Sequence, residues 1–162
     1  MPPSEKACEI ILKQFRQAFT VRAGVEKVWD FLMDPAHFEA ISPKDLNETL
    51  IKATNSRLTA GTEVWLSTDI MVRRTWHASI IKSEPYELVD AISGDRLLKH
   101  WTHVHRLESV DGTTTMVVDE IKFECRYGVI GRILEAIIMS RLGPIFSHRK
   151  ERMRELFDVQ KI

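Results

Sequence analysis

Hydrophobic and polar residues change period three times along this chain. Phe15, Gln17, Phe19 and Val21 alternate with Arg16, Ala18, Thr20 and Arg22, a two-residue period that predicts a first strand. After Ala23-Gly24, the residues Val25, Val28, Trp29 and Leu32 recur at i, i+3, i+4 and i+7, with Glu26, Lys27 and Asp30 opposite. This is the signature of a short amphipathic helix, which Asp34-Pro35 ends. Residues 36–41 supply another turn or two before Ser42-Pro43. From Leu46 to Glu124 the texture is short β-like runs between turn signals, with strands predicted over 47–53, 63–70, 73–82, 87–92, 97–108 and 113–124. Beyond Tyr127-Gly128 a helical period returns. Ile130, Ile133, Leu134, Ile137, Ile138 and Leu142 trace one expected core face, and Phe146, Met153 and Phe157 resume it after Gly143-Pro144. Pro144 predicts a kink or a division of this helix.

Strand, two short helices, six strands and a long helix define an α+β domain. A twisted seven-stranded antiparallel sheet has one apolar face to cover, and the last helix is the only element long enough to cover it. Where sheet and helix diverge, a cavity is expected. The 162 residues suit one domain over 13–162, preceded by an N-terminal extension over 1–12. Neither a repeat nor a linker interrupts it.

Composition narrows the function classes. Lys plus Arg and Asp plus Glu number 23 each, so no basic excess favours nucleic acid. Cys8 and Cys125 are expected to be reduced thiols of a cytoplasmic protein. The first residues lack the pattern of a signal peptide, and no apolar run approaches the ~20 residues that span a bilayer, so stable membrane insertion is not expected.

Local motifs add to this order. Val25-Glu-Lys-Val-Trp-Asp-Phe31, Ile41-Ser-Pro43, Trp76-His-Ala-Ser-Ile80, Trp101-Thr-His-Val-His-Arg-Leu107, Thr115-Met-Val-Val-Asp119, Tyr127-Gly-Val-Ile-Gly131 and Ile145-Phe-Ser-His-Arg149 occur in sequence. Together they resemble the SRPBCC superfamily, and within it the ligand-binding bacterial and archaeal subgroup. That superfamily includes START lipid-transfer domains, pathogenesis-related allergens and aromatase/cyclase-like proteins. The resemblance covers about residues 15 to 157 and implies the helix-grip fold, a curved sheet wrapped around a long C-terminal helix. Two positions depart from the pattern: Gly94-Asp-Arg-Leu-Leu-Lys99 replaces a Gly-Pro-Phe before the Trp-x-His-x-His strand, and Arg126 replaces a proline.

The richest stretch for chemistry is Trp101, His103, His105 and Leu107, which alternation sets on one strand face. If Val110-Asp111-Gly112 forms a three-residue hairpin loop with Gly112 left-handed, Ser109 faces Thr113. His103 then lies opposite Asp119, His105 opposite Val117 and Trp101 opposite Ile121. Arg149, about one turn beyond Phe146, would reach toward Asp119. A His–Asp–Arg cluster is more often a satisfied structural network than a catalytic one. His103 and His105 at i, i+2 could also hold a metal with His77 or Asp119, but alternation with Trp76 points His77 outward, so no metal and no cofactor is expected. His37, His100 and His148 are read as surface or loop residues. There is no Gly-x-Ser-x-Gly elbow and no phosphate-binding Gly-rich loop.

Trp29, Trp65, Trp76, Trp101, Phe123, Tyr127 and Phe146 could line a pocket, although at least half of such aromatics normally belong to the core. The expected ligand site is Trp76, Trp101, His103, His105, Asp119, Phe123, Phe146 and Arg149. The leading expectation is a binder or carrier of a small hydrophobic or amphipathic molecule, lipid-, polyketide- or isoprenoid-like. A cyclase/dehydratase-like enzyme with His103 or His105 as base and Asp119 as its partner is the second. A protein-interaction or chaperone-cofactor module, requiring a filled interior, is the third.

Overall fold

The computed structural model describes residues 12–69 and 72–158. The expected extension and Cys8 lie outside them, apart from residue 12. The strands are β1 (Lys13–Val21), β2 (Thr49–Ala53), β3 (Glu63–Thr68), β4 (Arg74–Glu84), β5 (Glu87–Ile92), β6 (Leu98–Asp111) and β7 (Thr114–Cys125). The helices are α1 (Val25–Leu32), α2 (Phe38–Ile41) and α3 (Gly128–Asp158), with short 3-10 turns on either side of α2. All seven strands form one antiparallel sheet in the order β1-β7-β6-β5-β4-β3-β2. This is the expected helix-grip architecture. Among the described residues, no helix is long and apolar enough to cross a membrane.

Register irregularities occur within β2–β3, β4–β5 and twice within β6–β7. Such bulges bend a strand and increase its twist, so they supply the curvature that lets the sheet wrap a helix. The bulge at Lys99 also resets alternation: Leu98 is buried on the same side as Trp101 and His103, while Lys99 is exposed and pairs with Glu124.

Three sequence expectations about β6, β7 and α3 are corrected. The β6–β7 turn is tighter than the three-residue loop: Asp111 pairs with Thr114 and Ser109 with Thr115, with Val110 bulged. Asp111 Oδ1 accepts hydrogen bonds from the backbone N–H and the hydroxyl of Thr113, at 2.8 and 2.9 Å, and this carboxylate cap holds the turn without a left-handed Gly112. The register therefore slips by two, to His103↔Ile121, His105↔Asp119 and Trp101↔Phe123. An even slip preserves which face each side chain takes, so the inward set survives.

In α3, Pro144 does not divide the helix, which runs unbroken for 31 residues. The Pro is exposed, and removes only the hydrogen bond that the Ser140 carbonyl would have accepted. The expected core face is also half wrong. Leu134, Ile138 and Leu142 turn inward, whereas Ile130, Ile133 and Ile137 are exposed.

The interior comprises two apolar clusters. One gathers Phe19, Val21, Val28, Leu32, Leu107, Val117, Met153 and Phe157 beneath α1. The other gathers Leu98, Ile121, Phe123, Ile138, Leu142 and Phe146. Between them five elements carry a polar side chain. Gln17 separates Phe15 from Phe19 on β1, Asp119 separates Val117 from Ile121 on β7, and His103 and His105 separate Trp101 from Leu107 on β6. Asp90 divides Leu88 from Ile92 on β5, and Arg149 divides Phe146 from Met153 on α3.

Candidate functional site

Because Asp119 is paired across the strands with His105 and is the diagonal neighbour of His103, one carboxylate oxygen serves both rings. Asp119 Oδ1 lies 3.1 Å from His103 Nε2 and 3.1 Å from His105 Nδ1. Arg149 reaches down from α3 to 3.8 Å from the same oxygen. On the other side, Asp90 Oδ2 lies 3.1 Å from His105 Nε2 and 3.7 Å from His103 Nδ1. The two imidazoles stand 3.7 Å apart, and Phe146 packs edge-on to His103 at 5.5 Å.

Electrostatics distinguishes the two rings. Burial drives the His103 pKa down, the adjacent His105 adds to that, and Asp119 and Asp90 only partly oppose it. Burial also opposes charge on His105, but carboxylates at both of its nitrogens outweigh it and raise its pKa. Burial works against ionisation of Asp119 as well, yet Arg149 and the two imidazoles hold it well below the usual carboxylate range. The arrangement is an Asp119 carboxylate between Arg149 and His105, whose charged form is favoured, with His103 alongside favoured in its neutral form. The bond to Asp119 assigns the His103 proton to Nε2, leaving Nδ1 as an acceptor.

Above this layer, between the sheet and the first half of α3, lies a cavity of about 220 Å³. Trp76, Trp101, Ile121, Leu142 and Phe146 contribute apolar wall, while Asp90, His103, His105 and Arg149 form a polar end. Trp76 is oriented by its indole N–H, which donates to Thr68 Oγ1 at 2.8 Å. Burial pushes the Cys125 thiol, also on the wall, to about 11, so it is held as an unreactive thiol.

Six of the eight expected site residues line the cavity: Trp76, Trp101, His103, His105, Phe146 and Arg149. Asp119 is fully buried behind the histidines, and Phe123 is fully buried against Trp101, ring centroids 5.6 Å apart, so both support the wall rather than form it. His77 points away, as expected, stacked on Trp65 and bonded to Glu63. His37 stacks on Phe31, and His148 borders a shallow outer depression.

Sequence reasoning missed Asp90 and Glu48. Asp90 had a legible signal, as the one acid in the inward series Leu88, Asp90, Ile92. Glu48 had none, since it lies outside a strand. Its side chain accepts a hydrogen bond from Ser42 at 2.6 Å and lines the cavity, and burial raises its pKa despite that bond and the attraction of Arg149.

Asp90, His103 and His105 bring three ligand-type atoms within 4.8 Å of one another. However, the Arg149 guanidinium stands 3.4 Å from His105 Nδ1 and already supplies a fixed positive charge. Charge balance in the cluster is met by this chain's own residues, so the donor set does not fit a metal ion well.

The two departures from the superfamily pattern turn out to answer each other. Arg126 donates to the carbonyls of Asp95 and Leu98, at 3.3 and 3.2 Å, and its backbone N–H donates to Leu97. Asp95 in turn caps the N–H groups of Leu97 and Leu98 and pairs with Arg74 at 2.5 Å. Together they fasten the β5–β6 connection to the start of α3, at one end of the cavity.

The chain has the helix-grip fold of the SRPBCC proteins, and solved structures agree with this along most of its length. It is similar to a START superfamily protein from Mycobacterium smegmatis, with a TM-score of 0.66 and 11% identity over 88% of this chain and 98% of that one. It is similar to the Zhui aromatase/cyclase from Streptomyces sp. R1128, with a TM-score of 0.67 and 18% identity over 90% and 96%. Norcoclaurine synthase from Thalictrum flavum, in complex with dopamine and hydroxybenzaldehyde, superposes with a TM-score of 0.68 and 12% identity over 90% and 86%. No protein-family model and no curated protein matches the sequence.

Proposed function

We propose that this protein binds or carries a small hydrophobic or amphipathic molecule, of lipid-, polyketide- or isoprenoid-like chemistry, in the cavity between sheet and α3. One observation carries the reading: an apolar chamber ends on a buried polar layer whose hydrogen bonding is incomplete. Asp119 Oδ2 and Arg149 Nε are buried and make no hydrogen bond within the described protein. Mostly apolar walls with a few convergent polar groups are what such a ligand needs. At about 220 Å³ the cavity lies below the roughly 300–1,000 Å³ of drug-sized pockets, which favours a compact, ring-sized ligand over a two-chain lipid. The structural neighbours support this, since one is described as an aromatase/cyclase and another was solved with two aromatic molecules.

Native mass spectrometry of the protein purified from its own host tests the reading. The expected spectrum contains an adduct that denaturation releases and that Ala78→Trp, which fills the chamber, abolishes. An adduct that persists unchanged in folded Ala78→Trp would place the ligand elsewhere.

The opposed shifts of the two histidines favour a second reading, a cyclase/dehydratase-like enzyme. A neutral His103, held by Asp119 through Nε2 and lining the cavity, has the arrangement of a general base with its orienting carboxylate. Turnover would then rise with pH through a pKa below 6.5 and vanish in His103→Gln. Unaltered turnover in that variant would end the catalytic assignment. The cavity itself weighs against the interaction-module reading, which needs a filled interior.

A further inference from the structure

The first half of α3 is amphipathic in the wrong sense for a helix on a soluble domain. Its inward face carries Leu134, Ile138 and Leu142, but its outward face is apolar as well. Val129 is 74% exposed, Ile130 63% and Ile133 59%, with Ile137 and the adjoining Tyr127 also exposed. Val129, Ile133, Ile137 and Ser140 lie about one turn apart, so these side chains form a continuous stripe. Isolated exposed aliphatics are ordinary, whereas a contiguous stripe of this kind marks an interaction surface.

The charges beside the stripe identify what it meets. Arg126, Arg132 and Arg141 are exposed along it, and between Arg126 and Glu151 the sequence holds a single acid, Glu135. Glu135 is buried and accepts a hydrogen bond from the Cys125 backbone N–H. Arg141 lines the cavity, and with Ile137 and Pro144 it also borders the shallow outer depression, whose acid is Asp45 on the opposite rim. A second copy of this chain would set arginine against arginine with no acid on the helix face to answer it. An anionic bilayer answers both features at once, lipid tails taking the aliphatic stripe and headgroups the arginines.

We infer that the outward face of α3 between Tyr127 and Arg141 docks reversibly on anionic lipid bilayers, bringing one rim of the cavity to the membrane interface. The stripe's exposure is independent of what the cavity holds.

The test is co-sedimentation of the full chain with phosphatidylcholine vesicles, with and without phosphatidylglycerol. Binding is expected only with the anionic lipid, and added salt should weaken it. Ile133→Glu with Ile137→Glu should abolish binding while leaving the unfolding midpoint unchanged, since both positions are exposed. Arg132→Gln with Arg141→Gln should weaken it by about fivefold per arginine, or about 25-fold together. If the glutamates disturb folding, serines at the same two positions serve instead. Failure to sediment with either vesicle overturns the inference, as does wild-type binding by folded stripe variants. Self-association abolished by the same substitutions, without vesicle binding, identifies a second copy as the occupant and also overturns it.

Discussion

Replacing Asp119 by Asn changes one oxygen for one nitrogen at the centre of the buried layer, and it should be among the most damaging substitutions of equal volume in this protein. The carboxylate is fully buried, with His103, His105 and Arg149 at 3.1, 3.1 and 3.8 Å. With an effective dielectric constant of about 20, opposite charges separated as Asp119 and Arg149 are attract by about 4 kcal/mol. Desolvation offsets much of that in the native protein. In the variant the cations stay buried and only the compensation disappears, so the expected loss is about 3–5 kcal/mol. In a chain of this length that lowers the melting temperature by roughly 6–20 °C. The pH dependence gives a sharper signature. His105 has a raised folded pKa, so its contribution is fully present below its unfolded value near 6.5 and is lost as pH rises through the folded one. Asp119 has a depressed folded pKa, so its contribution is present above 3.8 and is lost as pH falls through the folded value. Without Asp119 the His105 imidazolium is favoured by Asp90 alone, and burial and Arg149 both oppose it, so its pKa falls. The gap between wild type and variant should therefore widen from pH 8 to pH 5 and contract again in strong acid. Urea unfolding followed by circular dichroism at a series of pH values measures it. A loss below about 1 kcal/mol, or a gap that does not change with pH, would refute the assignment of Asp119 as the counter-ion of this layer.

Two further outcomes are expected. Gly131→Ala should destabilise by about 1–3 kcal/mol despite alanine's better helix propensity, because the added Cβ would sit 2.2 Å from the Arg126 carbonyl oxygen; a higher unfolding midpoint would contradict the close approach at the start of α3. Replacing the ionisable residues of the layer with apolar ones (Asp90→Val, His103→Phe, His105→Leu, Asp119→Val and Arg149→Met) should be neutral or stabilising by about 1–4 kcal/mol, in contrast to the single Asp119 variant. The same protein should lose any ligand adduct in native mass spectrometry, and retention of the adduct would show that the layer takes no part in binding.

Much of the fold was legible because β-alternation is a local signal. Glu87–Ile92 was bounded correctly, and the others were placed to within three residues, since each carries its own period and turn residues. The His–Asp–Arg convergence was legible for the same reason: inward faces follow parity, and parity survived an even slip of register. What failed was information held by particular atoms. The β6–β7 turn depends on which donors the Asp111 carboxylate caps, and residue type alone does not state that. The outward isoleucines of α3 failed differently. A helix apolar on two faces has the same composition as one buried all round, and only packing against the sheet decides which face is covered.

The position of the polar layer also bears on how this fold makes a site. Six elements switch from one apolar cluster to the other, and five of them place a polar residue at the switch: Gln17, Asp90, the His103–His105 pair, Asp119 and Arg149, while β4 passes through Ala78. Gln17 uses its side-chain amide to donate to the Phe146 carbonyl at 2.9 Å, tying the layer to α3 beside the cavity. An apolar core would need no such seam, and a buried charge network is weak evidence for stability. The seam borders the cavity between the sheet and α3. The cavity is therefore apolar on its walls and polar at its floor by construction, with Asp90, His103, His105 and Arg149 fixed to the rigid elements β5, β6 and α3 and Glu48 added from the segment before β2. That rigidity preorganises the floor for a polar group entering from the cavity, and it leaves the charges little freedom to pair with one another instead. The two unbonded atoms, Asp119 Oδ2 and Arg149 Nε, are the residue of that constraint.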